Sequence, residues 1–217
     1  MRSELERELT QIRSGLSQLS KQAIAATQRA VKTLVTGDAE GAKQIRVDDK
    51  AIDALRYQVE LDSLTAMARQ QPVAHDAREL LAATLVAVEL ERCGDYAKGI
   101  ARAASRIASC IQNLDTFNIA EIDALVRSML ERSVHALLTN DAAEAEHVLR
   151  DDAIVDALYG DLLRHIMAMM SRDPRNIEAG LWLLHAAHCL ERIGDRATNI
   201  AERAIFVATG EQLIRED

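Results

Sequence analysis

Acidic residues recur four positions apart in both halves of the chain, and their carboxylates are the side chains best suited to chemistry. On an α-helix, residues i and i+4 lie one turn apart on the same face, so each pair presents two carboxylates together. Gathered carboxylate oxygens are hard ligands that suit divalent or trivalent cations. The pattern therefore predicts metal-binding sites at four pairs: Asp49 and Asp53, Glu91 and Asp95, Asp152 and Asp156, and Glu191 and Asp195.

The two halves of the chain repeat one sequence. Residues 31–39 resemble residues 134–142, residues 48–53 resemble 151–156, and residues 90–97 resemble 190–197. The two prolines, Pro72 and Pro174, fall in the same connection of each half. An internal duplication of this kind predicts that both halves share one topology and that each carries the same acidic constellation.

The composition predicts an all-α fold. Aromatic residues make up 3% of the chain and it has two prolines, while the remaining sequence is rich in good helix formers. The predicted helices span 3–36, 38–71, 75–112, 118–139, 141–171 and 174–209. Short connections make sequential helices antiparallel neighbours. We therefore expect two tandem antiparallel three-helix bundles, with domains at residues 1–113 and 114–217.

Turn and capping residues place the helix ends. Ser3 with Glu6, and Asn118 with Glu121, have the spacing of capping boxes. The sequences around Gly37 and Asn140 each supply a residue that tolerates left-handed backbone, followed by an N-cap. Asp173 is expected to be an N-cap, and Pro174 the first helical residue.

An antiparallel hairpin brings the two acidic pairs of each half to the same height. In the first half the pairs are centred about 22 residues before the turn and about 20 after it, a mismatch of about 3 Å at roughly 1.5 Å per residue. In the second half the distances are about 19 and 20 residues. On the third helix the acids point away from the apolar stripe, which comprises Val86, Leu90, Cys93, Ala97, Ile100 and Ala104. Any metal site is therefore expected at the surface.

Some of these residues have a simpler explanation than metal binding. Arg92 and Arg192 follow Glu91 and Glu191, so surface ion pairs would account for any one acidic pair. His188 shares a helix face with the last pair and either supplements that site or is a residue of the core or of the rim of the site. Repetition in both halves favours metal binding, because gathered carboxylates repel and a cation relieves that repulsion.

The glycines within the third helices, Gly94 and Gly194, indicate close helix contacts. The three cysteines are interpreted as small buried residues.

Several classes of protein are excluded. The net charge of −8 without a basic block argues against a nucleic-acid surface or a polybasic anchor. No apolar run approaches the roughly 20 residues of a membrane span, and no signal sequence opens the chain, so a cytoplasmic protein is expected. No nucleophile elbow or phosphate loop is present. A di-iron oxidase needs Glu-x-x-His twice, and Glu144 with His147 is the single instance. No catalytic residues are predicted.

Residues 190–211 resemble the C-terminal signature of the PhoU family of phosphate-uptake regulators, and residues 69–78 and 90–95 agree with the same family. The resemblance implies two three-helix bundles, homodimerisation, and metal clusters held on the bundle surface by E/D-x-x-x-D motifs. The metal would be divalent or ferric: Fe, Zn, Mn, Mg, Ni or Ca. The ligands implied are Asp49, Asp53, Glu91 and Asp95 in one bundle, and Asp152, Asp156, Glu191 and Asp195 in the other.

The resemblance also implies a function. A protein of this family is a cytosolic adaptor that negatively regulates phosphate uptake and the phosphate-starvation response. Its implied partners are the ATPase subunit of the phosphate ABC transporter and a membrane-bound sensor histidine kinase, so it meets the membrane only through partners. The alternative is a helical interaction protein without metal that regulates a different transporter.

Two departures from the family pattern distinguish the halves. Gly99 stands where the second half has Asn199, and Cys93 stands where it has Ile193. We therefore expect the N-terminal site to bind metal less tightly, or to bind a different number of ions.

Overall fold

The computed structural model describes residues 2–110 and 115–211, and within these ranges the secondary structure is entirely helical. The expected all-α fold is confirmed. None of the helices in this part of the chain is both long and apolar enough to cross a membrane. The six α-helices are α1 (Arg2–Thr36), α2 (Ala39–Gln70), α3 (Ala74–Cys110), α4 (Ile119–Thr139), α5 (Ala142–Arg172) and α6 (Ile177–Thr209).

Each half folds into a bundle of three mutually contacting helices, α1 to α3 and α4 to α6. The stripe predicted for α3 is confirmed, because all six of its side chains are at most 2% exposed. Burial of such side chains is the main favourable contribution to folding, at about 25 cal/mol per Å² of apolar surface. It also determines which residues of the same helix face outward, among them the acids.

The two bundles lie side by side through contacts of α3 with α6 and of α1 with α4. Equivalent residues meet in this interface. Gly99 of α3 faces Cys189, and a Cβ at Gly99 would come within 2.8 Å of the cysteine Sγ. In the reciprocal position, Asn199 donates a hydrogen bond to Glu89 at 3.4 Å, and Arg196 donates another to the same carboxylate at 3.0 Å. The duplication thus relates the two bundles by an approximate two-fold axis. The small residues Gly99 and Cys189 meet at one end of the interface, and the polar residues Asn199 and Glu89 meet at the other.

The turns between the first and second helices of each bundle match the prediction. Gly37 and Asn140 adopt positive φ angles of 70° and 56°. Asp38 and Asp141 each accept a hydrogen bond at 3.0 Å from the backbone N–H three residues later. These bonds satisfy N–H groups that the first turn of a helix leaves without partners.

The capping boxes predicted at the starts of α1 and α4 do not form, although both helices begin within one residue of the predicted positions. Ser3 lies inside α1, which already includes Arg2. Asn118 occupies the N-cap position of α4 but makes no cap hydrogen bond. Its amide instead donates to the carbonyl of Leu158 on α5 at 3.1 Å, so a tertiary contact replaces the local cap.

The start of α6 also differs from the prediction. Asp173 does cap, accepting from the backbone N–H of Arg175, but Pro174 begins a short 3-10 turn, Pro174–Asn176, rather than the α-helix. The N–H of Asn176 bonds to the carbonyl of Asp173 at 2.9 Å, three residues back. This i to i+3 bond tightens the first turn, and α6 begins only at Ile177.

The two glycines in the third helices have different surroundings. A Cβ at Gly94 would come within 3.0 Å of the Ile52 side chain and 3.1 Å of Asp49 Oδ1, whereas one at Gly194 would come no nearer than 3.6 Å to Val155. The predicted close contact is therefore tight at Gly94, and at Gly194 there is room for a methyl group.

Replacing each glycine by alanine tests this difference. Gly194→Ala should raise the free energy of unfolding by up to about 1 kcal/mol, because alanine is the better helix former and the methyl group fits. Gly94→Ala should gain less or lose stability, because Ile52 and Asp49 would have to move. Urea denaturation of both variants measures the difference. An equal gain at both positions would contradict the packing described for α2 against α3.

Candidate metal-binding sites

The first acidic cluster lies where α2 and α3 pack together. Asp49, Asp53 and Asp95 line one cleft. Asp49 is only 7% exposed, whereas Asp53 and Asp95 are exposed and Glu91 is half-buried. The charges of Asp95 and Asp53 both act on Glu91. The two helices thus bring the four predicted residues of this half into one neighbourhood, with one of them buried.

A lysine that the sequence reasoning overlooked lies within this cluster. The Nζ of Lys98 is 2.6 Å from Asp49 Oδ2 and 2.5 Å from Asp95 Oδ1. Its sequence signal was a cation three residues after Asp95 on the same helix, at a position where the second half has Thr198. The ammonium group partly neutralises two of the carboxylates predicted to be metal ligands.

Burial and like charge oppose ionisation in this cluster. Burial raises the pKa of Asp49, Lys98 opposes that rise, and Asp53 and Asp95 add to it. For Glu91, burial again raises the pKa most, followed by the charges of Asp95 and Asp53. Burial lowers the pKa of Lys98, but its bonds to Asp49 and Asp95 outweigh this and leave the pKa raised.

The second acidic cluster lies between α5 and α6, and its counter-charge comes from an arginine at a different position from that of Lys98 in the repeat. Arg192 Nε is 3.0 Å from Glu191 Oε2, and its Nη1 is 2.9 Å from Asp195 Oδ2. Burial raises the pKa of Glu191 most, Asp195 and Asp156 raise it further, and Arg192 lowers it. Asp152, the fourth predicted residue, places Oδ1 4.0 Å from the position of a Cβ on Gly194, so it faces α6.

His188 lies at the rim of the second cluster. Its Nδ1 is 3.5 Å from Glu191 Oε2, and its side chain is 51% exposed. The interpretation of His188 as a core residue is therefore wrong, and the rim interpretation agrees with its exposure. The same residue also lines the cleft of the first bundle, together with His185.

The clusters contain oxygen ligands of the kind that bind hard cations, but these ligands are not arranged as a complete coordination shell. Within the described ranges, no three His, Cys, Asp or Glu side chains are close enough to hold one ion. In the first cluster the buried Asp49 Oδ1 accepts no hydrogen bond, whereas in the second the buried Glu191 Oε2 is ion-paired with Arg192. Buried polar atoms normally have a partner, so the unpartnered oxygen of Asp49 fits a cation.

The departures at Gly99 and Cys93 have structural roles away from the acids. Asn199, the counterpart of Gly99, bonds to Glu89 of the other bundle rather than to a carboxylate of the second cluster. Cys93 is fully buried in the core, and burial raises the pKa of its thiol. The difference that bears directly on the first cluster is Lys98, because it contacts two of the predicted ligands.

Replacing Lys98 by its counterpart, threonine, should destabilise the protein in a pH-dependent way. Without the lysine, the folded-state pKa of Asp49 rises further above its unfolded value. A carboxylate with a raised pKa favours folding while protonated, and this contribution is lost as pH rises through the folded-state pKa. Because Lys98 is 27% exposed, solvent screening limits the loss to about 1–3 kcal/mol near pH 7, with a smaller loss near pH 4. Chemical denaturation at both pH values measures it.

Lys50→Thr is the matched control. Lys50 of α2 is exposed, lines the same cleft as Lys98 and has no salt bridge to a described residue. An equal loss in both variants, or a loss for Lys98→Thr that does not change with pH, would contradict this role of Lys98.

Comparisons with known proteins agree with this geometry. The family model described as PhoU domain matches twice, at residues 16–104 and 119–204. A "Phosphate-specific transport system accessory protein PhoU homolog" of Xylella fastidiosa (strain 9a5c) is 32% identical over 207 residues, which cover 95% of this chain and 87% of that protein.

Two solved structures have the same fold. The crystal structure of PhoU from Pseudomonas aeruginosa matches with a TM-score of 0.90 at 31% identity, covering 95% of this chain and 99% of that one. The phosphate transport system regulatory protein PhoU from Streptococcus pneumoniae matches with a TM-score of 0.88 at 26% identity, covering 97% and 100%. Matched in both halves and along nearly its whole length, the chain belongs to the PhoU family of phosphate transport accessory and regulatory proteins, which are not enzymes.

Proposed function

We propose that this protein is a cytosolic adaptor that negatively regulates phosphate uptake and the phosphate-starvation response. The observation that carries this proposal is the match to PhoU in both halves, with relatives named as accessory or regulatory proteins of phosphate transport. The proposed partners are the ATPase subunit of the phosphate ABC transporter and the phosphate sensor histidine kinase. The protein acts as a homodimer and reaches the membrane only through these partners.

The adaptor binds divalent or ferric metal at its two acidic clusters. Asp49, Asp53, Glu91 and Asp95 would hold metal in the first bundle, and Asp152, Asp156, Glu191 and Asp195 in the second. In the first bundle the buried Asp49 Oδ1, which accepts no hydrogen bond, supports this assignment. Bound metal would supply positive charge that relieves carboxylate repulsion and joins the second helix of each bundle to the third.

The two sites are unequal. In the first bundle the ammonium group of Lys98 bonds to two of the ligands, and metal has to compete with it. In the second bundle Arg192 pairs with Glu191 and Asp195, but it is more exposed, at 39% against 27% for Lys98, and holds no buried aspartate. The second site therefore binds metal more tightly.

The alternative function is a metal-free helical adaptor for a different transporter. The observation that favours it is the pairing of both clusters with cations of the chain itself, Lys98 and Arg192. Metal content distinguishes the two proposals.

Removal of ligands from the second cluster should remove bound metal. The double variant Asp152→Ala, Glu191→Ala should lose the metal of the second bundle, as measured by elemental analysis of unsupplemented protein. The matched double variant in the first bundle, Asp49→Ala with Glu91→Ala, should lose less, because Lys98 already lowers occupancy there. Equal stoichiometry in wild type and in the second-bundle variant would show that these residues do not bind metal.

Partner binding should depend on an apolar surface of α2. Tyr57, Leu61 and Leu64 lie on one face of the helix and are 63%, 45% and 64% exposed. Leu64→Asp should weaken co-purification of the transporter ATPase by roughly tenfold, since burying a charge at an apolar contact is unfavourable. Leu181→Asp, at a 57% exposed leucine of α6, is the control. Undiminished ATPase recovery with Leu64→Asp, or an equal loss with both, would exclude this surface.

A further inference from the structure

The cleft that contains the first acidic cluster is larger than a metal site requires. It has a volume of about 660 Å³ and lies between α2 and α3 of the first bundle and α6 of the second. Small-molecule sites have about this size and are commonly formed where two structural units meet. The cleft therefore has room for a ligand beyond the carboxylates.

Positive side chains outnumber negative ones in this cleft. Three aspartates and two histidines, His185 and His188, line it together with four permanent cations, which are Arg46, Lys50, Lys98 and Arg102. Lys98 is held by Asp49 and Asp95. The other three cations form no salt bridge with any residue in the described part of the chain, and so remain available to a ligand.

The internal duplication shows that this charge is specific to the first half. The residues equivalent to the four cations are all non-basic: Leu149, Ala153, Thr198 and Glu202. The positions equivalent to His185 and His188 are Leu85 and Val88. At the positions related by the duplication, Arg196 is the one basic residue, and the other charged residues are acidic. The basic surface is therefore present in one half of a chain whose net charge is −8.

Two of the cations, Arg46 and Arg102, lie at the end of the cleft opposite to Asp53 and Asp95. Lys98 of α3 contacts Asp49 of α2, and the two helices are antiparallel. Arg46 lies about one turn from Asp49, and Arg102 about one turn from Lys98, in the same direction along the cleft. Asp53 and Asp95 lie in the opposite direction.

His185 belongs to the basic end. Its Nε2 is 3.5 Å from the position that a Cβ on Gly99 would occupy, and the charge of Arg102 acts on its ring. Two guanidinium groups and an imidazole from three helices thus converge at one end of the cleft.

We propose that this end of the cleft binds a small anion that carries a phosphate group. Guanidinium groups bind tetrahedral oxyanions through paired N–H donors, and a multiply charged anion suits several convergent cations better than a carboxylate or chloride does. The proposal is independent of the metal sites, because the cations that carry it are not metal ligands.

Calorimetric titration of the full-length protein, freed of metal with a chelator, tests the proposal. Inorganic phosphate and ATP serve as separate probes, so that free phosphate is distinguished from a phosphorylated small molecule. The variant Arg46→Gln with Arg102→Gln should weaken binding of the preferred probe by roughly tenfold or more, because each arginine contributes charge-assisted hydrogen bonds. Lys21→Gln with Lys32→Gln removes the same charge from exposed positions of α1 outside the cleft and should bind as the wild type does.

Circular dichroism and thermal unfolding verify that both double variants are folded. Failure of wild-type protein to bind either probe at millimolar concentration would overturn the proposal. An equal loss of affinity in the two double variants would also overturn it, because net charge alone would then explain binding. Saturable binding of a glutamate-rich peptide, with neither phosphate probe binding, would assign the cleft to an acidic protein segment instead.

Discussion

The close packing of α3 against α6 is the contact on which the arrangement of this protein depends. Each of these helices packs within its own bundle and also against the other bundle, so it has to be apolar on two faces. Alanines meet this need, since small side chains let helix axes approach, and α3 buries a series of them: Ala82, Ala83, Ala87, Ala97, Ala101, Ala103 and Ala104. Gly99 opposite Cys189 is the tightest example. The cleft that holds the first acidic cluster is bounded by both bundles only because these two helices meet.

The outer helices, α2 and α5, then bring the carboxylates to α3 and α6. Asp49 shows the energetic consequence. A nearly buried carboxylate is unfavourable without a counter-charge, and the first bundle supplies one from Lys98 on the neighbouring helix. At the repeated position the second bundle has Thr198, whose hydroxyl bonds to the carbonyl of Asp195, and its counter-charge comes instead from Arg192. The same group of carboxylates is therefore neutralised by a lysine in the first bundle and by an arginine at a different position in the second.

These two arrangements of counter-charge suit the two halves to different ligands. A lysine between two aspartates makes a stable internal ion pair, and it lies beside a surface on which further cations accumulate. The arginine that pairs with Glu191 and Asp195 is half-buried but more exposed than Lys98, so it is more readily displaced, since ion pairs contribute less as their exposure increases. The first bundle is thereby suited to an anion and the second to a cation. A family of accessory proteins without catalysis can act through such differences in charge, because partners bind surfaces rather than reacting groups.

Much of this protein was determined by its sequence alone. The duplication, the helix boundaries to within a few residues, the apolar stripe of α3 and the heights of the acidic pairs all follow from local periodicity, and periodicity depends only on helix geometry. The tertiary structure decided what lies opposite each residue: Lys98 between Asp49 and Asp95, Asn118 bonded to α5 rather than capping α4, and Asn199 paired with Glu89 across the bundles. The physical reason is that the face of a helix is encoded along the chain, whereas the partner of that face depends on how separate helices pack.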